Sequence, residues 1–124
     1  LLAALVSNFF LGQGPWTLWQ MLGWGVCGSM AALLAKREEG FNLKKFTVLT
    51  AFCGYLFGWI MNTWHWVGFV YPLNIETFLA TYVASFPFDT LHVLGNIVFS
   101  VVLGQIFYTV LKRFQRKFKV VFLR

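Results

Sequence analysis

Asp89, His92 and Asn96 interrupt a largely apolar run, in Phe88-Asp89-Thr90-Leu91-His92-Val93-Leu94-Gly95-Asn96. Their spacing of i, i+3 and i+7 sets them on one helix face, and Ser100 and Gly104 continue it. Ionisable groups within a hydrophobic helix are expensive and normally face other helices or a wet cavity. Pro87 is tolerated in a first helical turn, so a helix opening there places Asp89 where the helix dipole favours a carboxylate. Three readings are open. In the first, Asp89 fixes the imidazole of His92 and Asn96 ties a neighbouring helix. In the second, the three residues line the mouth of a substrate site. The third is catalysis or metal binding by His92 and Asp89. One His and one Asp fall short of the three or four ligands usual for zinc, and the sequence holds neither HExxH nor a Ser-His-Asp arrangement. The expectation is therefore a protein that is not an enzyme and that holds no metal and no cofactor.

The second group with chemical potential is aromatic. Trp16, Trp19, Trp64 and Trp66 fall at the ends of apolar runs, among Gln13, Gln20, Asn62, His65, Tyr71 and Asn74. Indole rings gather at the headgroup level of a bilayer, which accounts for such placement without any ligand. Aromatic walls with a few amides are also how small-molecule sites are built. No Lys or Arg lies among these residues. A flat ligand, neutral or weakly charged, suits them better than one needing a basic partner.

The elements that must position these groups follow from composition. Of 124 residues, 59% are hydrophobic and only 11% charged, against roughly 25% charged in soluble domains. The expected class is an all-α integral membrane protein, a single transmembrane bundle across residues 1–124. Apolar runs at residues 16–35, 46–64 and 87–111 each approach the roughly 20 residues that cross a bilayer. Residues 1–11 are apolar but too short, and read as the end of an earlier span. The chain opens on Leu1, and the expectation is a fragment. Gly12-Gln13-Gly14-Pro15 should turn the chain. Residues 74–85 read as a short external helix capped by Asn74, with a break at Ser85-Phe86-Pro87 before the last span.

Charge supplies orientation. The net charge is +6, with every Lys and Arg in residues 36–45 or 112–124. Two spans separate these segments, so they share a side, and the positive-inside tendency makes it cytoplasmic, as is the C-terminus. The tail alternates its cations with Phe114, Phe118 and Phe122 and could lie on membrane lipid. This clustering argues against a nucleic-acid partner. Cys27 and Cys53 sit inside apolar runs, which disfavours a disulfide framework. Small residues recur at four-residue steps, as Thr50, Gly54, Gly58 and Asn62 on one run and as Gly28 with Ala32 and Ala31 with Ala35 on another. Such stripes let helix backbones approach closely in lipid.

Two stretches carry a family likeness: Gly14-Pro15-Trp16-Thr17-Leu18-Trp19-Gln20-Met21 with Trp24-Gly25, and Ser85-Phe86-Pro87-Phe88-Asp89-x-x-His92-x-x-Gly95-Asn96. Together they resemble the membrane-embedded S components of energy-coupling factor (ECF) transporters, over about residues 8–112. The tryptophan motif is similar to the corrinoid-type branch. The resemblance implies a six-helix subunit with both termini inside that captures a vitamin or related micronutrient externally. A transmembrane coupling protein and two ATPases would then drive uptake. Gln13, Trp16, Trp19, Gln20, Asn62, Trp64, Trp66, Asp89, His92 and Asn96 are the candidate substrate-binding residues. The solute could be a corrinoid, a flavin, a thiamine-like cation or a modified purine. The small-residue patch by which the family's first helix docks the coupling protein has no counterpart here. The alternative is a membrane-embedded enzyme or metal-binding protein using His92 and Asp89.

Overall fold

A computed structural model describes residues 2–35 and 40–117. Four helices follow in order: α1 Leu2–Leu11, α2 Trp16–Ala35, α3 Leu43–Phe69 and α4 Ile75–Lys117. Lys36, Arg37, Lys119 and Arg124, which carry part of the charge argument, lie outside the described residues, as do Phe118 and Phe122 of the tail.

Each boundary has a local cause. Gly12 ends α1 at φ 106°, in the left-handed region, and its N–H bonds back to the Asn8 carbonyl at 2.8 Å. A side chain on Gly14 would run into the Trp16 ring, so the turn into α2 needs its glycine. Asn42 caps α3 by accepting the Lys45 N–H at 3.1 Å. Asn74 caps α4 in the same way, from the Thr77 N–H at 2.8 Å.

The helices form an open row. α1 packs on α2, α2 on α3 and α3 on α4, each pair antiparallel; α4 does not return to α1. α2, α3 and α4 are long and apolar enough to cross a membrane. What is buried is mostly polar: Asn8, Thr17, Asp89 and Ser100, with Ala4 and Val93 the buried hydrophobic side chains among the described residues. Large apolar residues face outward instead, Phe9 and Phe88 each 79% exposed. A soluble fold cannot support that inversion, whereas lipid removes the drive to bury apolar surface and leaves close backbone packing and hydrogen bonds to join helices.

The α3–α4 pair shows the pattern most fully. Thr50, Gly54, Gly58 and Asn62 form the face of α3 that meets α4, as the four-residue stripe predicts. Cβ atoms added at Gly54 and Gly58 would strike Val93 and Asp89, so both glycines are sites of close approach. The other stripe behaves differently. Nothing lies within 4 Å of the position a Cβ would take on Gly28, and Ala32 is exposed.

The expected break before Pro87 is absent. α4 runs unbroken for 43 residues with Pro87 inside it, about 65 Å at 1.5 Å per residue. Residues 74–85 are thus its beginning and not a separate external helix. Proline withholds one N–H and crowds the carbonyl four residues back, here Val83. Hydroxyls lie on the helix backbone either side of it: Ser85 Oγ is 3.1 Å from the Tyr82 carbonyl, and Thr90 Oγ1 donates to the Phe86 carbonyl at 2.8 Å. α3 pins the helix on both sides of the proline. Membrane helices tolerate proline where neighbouring helices hold them. α3 is itself 27 residues long, so the hairpin extends past the roughly 30 Å hydrocarbon layer.

Candidate functional site

Gly58 sets the centre of the site. A Cβ there would overlap Asp89, so the carboxylate lies against the bare backbone of α3. Asp89 is only 9% exposed. Its Oδ2 accepts from Asn62 Nδ2 at 3.0 Å and from Ser85 Oγ at 3.2 Å, and Asn62 Nδ2 also donates to Ser85 Oγ at 2.6 Å. Asn62 is one turn beyond Gly58 on α3, and Ser85 one turn before Asp89 on α4, so an antiparallel pair brings the three together. Both donors are neutral. The sequence has no Lys or Arg between Lys45 and Lys112.

This node is one rung of a ladder along α3 and α4. Towards the basic end, Asn96 Nδ2 donates to the Thr50 carbonyl at 3.1 Å, and the hydroxyls of Thr50 and Ser100 are 2.7 Å apart. Towards the other end, Tyr82 OH donates to the Trp59 carbonyl at 3.0 Å and lies 2.8 Å from Thr63 Oγ1. Beyond that, Trp66 Nε1 donates to Thr77 Oγ1 at 3.0 Å.

A separate polar cluster joins α1 to α2. Asn8 Nδ2 donates to Thr17 Oγ1 at 2.9 Å and to Gln20 Oε1 at 2.6 Å. Thr17 Oγ1 donates to Gln13 Oε1 at 3.0 Å, and Gln13 Nε2 reaches the Leu5 carbonyl at 3.1 Å. The aromatic rings gather at the same end of the row. Trp16 meets Trp64 edge-on at 6.4 Å, and Trp64 meets Phe69 at 5.3 Å. Trp66 points the other way, onto Phe78 of α4 at 5.3 Å.

The candidate residues are therefore distributed over several groups. Asn62 and Asp89 share a node, and Asn96 lies two turns along the same ladder. Gln13 and Gln20 bond within the α1–α2 cluster. Trp16 and Trp64 touch; Trp66 faces α4; Trp19 is half-buried on α2. His92 corrects the expected helix face. It is exposed, meets Phe57 edge-on at 5.7 Å, and does not bond to Asp89. The reason is angular: at 100° per residue, i+3 lies about 60° off the Asp89 direction, whereas i+4, i+7 and i+11 lie within about 40°. Val93, Asn96 and Ser100 accordingly make the interface and His92 its edge.

Asn8, Thr17 and Ser85 were not singled out as site residues from sequence. Asn8 carries a usable signal, a lone amide in the apolar run of residues 1–11; Ser85 lies where the sequence suggests a break and instead sits inside α4. Among the described residues no three His, Cys, Asp or Glu side chains come close enough to hold a metal ion. The large open groove, about 1290 Å³, lies at the opposite end, between α2, α3 and α4, with Leu34, Phe46, Cys53, Phe99 and Tyr108 in its walls and Lys44 and Lys45 at its rim.

A family model described as a family of unknown function (DUF6580) matches residues 1–120. The chain belongs to that family. No curated protein and no solved structure matches it. In this DUF6580 chain, the arrangement can hold a polar or charged group against Asp89 and cover apolar surface with indole rings. Among the described residues His92 bonds neither to Asp89 nor to a hydroxyl, and its ring contact is with Phe57.

Proposed function

We propose that this protein is the solute-binding subunit of an ECF-type uptake transporter. In this reading it captures a vitamin or related micronutrient at the external face, and a transmembrane coupling protein with two ATPase subunits imports it. The observation that carries the reading is Asp89: a carboxylate nine-tenths buried among apolar helices, served only by neutral donors, on the side of the molecule where Trp16, Trp64 and Trp66 gather. Intramembrane carboxylates kept in such settings mark solute or ion pathways. The two motifs that resemble S components supply Trp16, Asp89 and the seat of Ser85.

The six-helix bundle implied by that resemblance would close on further helices along the open row, against α1 and α4. Orientation is part of the reading. Phe41, just before α3, stacks on Tyr108 at 4.6 Å, which brings Lys44 and Lys45 to the same end as Lys112 and Arg113. In the cell membrane this end would be cytoplasmic.

The test is uptake and binding. The full-length protein, expressed with a coupling protein and the ATPases, should accumulate a solute that is also recovered by mass spectrometry from the purified subunit. Trp64→Ala should weaken capture with the protein still folded. Purified protein with no recovered solute, and cells with no uptake above the empty vector, would refute the reading.

A further inference from the structure

We infer that Asp89 is the counter-ion for a positively charged group of the solute, so that the protein selects organic cations or amines. The inference rests on the solute-capture reading. Its ground is the imbalance at the node. Asp89 accepts two hydrogen bonds, both on Oδ2 and both from neutral donors. Oδ1 accepts none, and it is not a sealed orphan, since no buried side-chain oxygen or nitrogen among the described residues lacks a partner. It lies over Gly58, where the missing side chain leaves the α3 backbone bare. One carboxylate oxygen is thus fastened by two hydrogen bonds, and the other rests against the α3 backbone with no donor among the described residues.

Charge makes the case sharper. A carboxylate among apolar helices is costly without a cation. This protein supplies no Lys or Arg between Lys45 and Lys112, and His92, three residues away, turns to Phe57 instead. A solute bearing an ammonium, amidinium or heteroaromatic cation would provide the missing charge and a strong charge-assisted hydrogen bond to Oδ1. The indole rings of Trp16 and Trp64 and the ring of Tyr82 belong to the same half of the molecule, and electron-rich faces also favour cations. A neutral or anionic solute would leave the carboxylate uncompensated.

The experiment uses the full chain in lipid nanodiscs with thiamine, tryptamine and spermidine as cationic probes and riboflavin as a neutral aromatic one. Binding is read by isothermal titration for the wild type and Asp89→Asn. Asparagine keeps an oxygen to accept from Asn62 and Ser85 while removing the charge, and thermal melting establishes that the variant folds. The expected result is that at least one cationic probe binds the wild type, riboflavin does not, and the substitution weakens the cation about tenfold or more. If riboflavin binds and Asp89→Asn leaves it unchanged, the cation inference fails and solute capture stands. If no organic probe binds but sodium raises the melting temperature of the wild type alone, Asp89 is an inorganic cation site and the inference fails. If neither the probes nor sodium distinguish the two proteins, Asp89 is a helix-joining acceptor only; the inference then fails, while solute recovery and uptake decide the capture reading separately.

Discussion

At the scale of single residues, the carboxylate of Asp89 and the absent side chain of Gly58 are one feature, because neither arrangement works without the other. Gly58→Ala should push the carboxylate off its seat and destabilise the hairpin by about 1–3 kcal/mol, the usual cost of overpacking. Unfolding in mixed micelles measures this. In an Asp89→Ala background the same change should cost much less, and a coupling below about 0.5 kcal/mol would show that the two sites are independent. Asn62→Leu removes a donor from a buried acceptor and should cost about 1–2 kcal/mol. His92→Ala, at an exposed position, should stay within about 0.5 kcal/mol. These contrasts mark what was legible in the sequence. The polar triad at 89, 92 and 96 announced an interface, but spacing alone could not say whether the i+3 or the i+4 neighbour lay nearer its centre. Val93 won because α3 presents glycine opposite it, a fact that belongs to two helices at once.

At the scale of elements, local signals and tertiary packing pull against each other at Pro87. The extent of α2 could be read directly, since its apolar run is bounded by a Gly-Pro turn and by charge. α4 could not. Serine followed two residues later by proline reads as a helix start everywhere that propensity decides. Here the helix on each side of the proline is held by α3, through Asn62 at Ser85 before it and through Asn62 at Asp89 and Thr50 at Asn96 after it, and packing decides instead. The four-residue stripe on α3 pointed to a tight partner, and α4 is that partner. On α2, Gly28 meets nothing within 4 Å and Ala32 is exposed, because small residues permit close approach without specifying which helix approaches. Continuity of α4 has a direct measurement. Leu79 and Val102 are both outward-facing, at 55% and 61% exposure. Spin labels there should report a narrow distance near 35 Å, the rise of 23 helical residues. A helix broken before Pro87 would give a shorter and broader distribution.

At the scale of the whole molecule, its two ends differ in chemistry, and that difference carries a topology. One end of the row holds Trp16, Trp64, Trp66 and Phe69; the other holds Lys44, Lys45 and the last turns of α4 with Lys112, Arg113 and Lys117. The helices between them expose Phe52, Val98 and Phe99, side chains that water would reject and hydrocarbon accepts. α4 continues about 13 Å past the Phe41–Tyr108 stack, at 1.5 Å per residue, which carries its cations away from the apolar band. Cationic ends stay on the side from which membrane proteins insert, so residue 42 should be cytoplasmic and residue 73 external. With Cys27 and Cys53 replaced by Ser, single cysteines at these two positions decide the matter in intact cells. A membrane-impermeant maleimide should label Leu73→Cys and leave Asn42→Cys unlabelled until the cells are opened. The opposite pattern would invert the topology, and with it the side from which a solute could reach Asp89. Labelling at both positions in intact cells would mean that the α3–α4 hairpin does not cross the membrane as a unit.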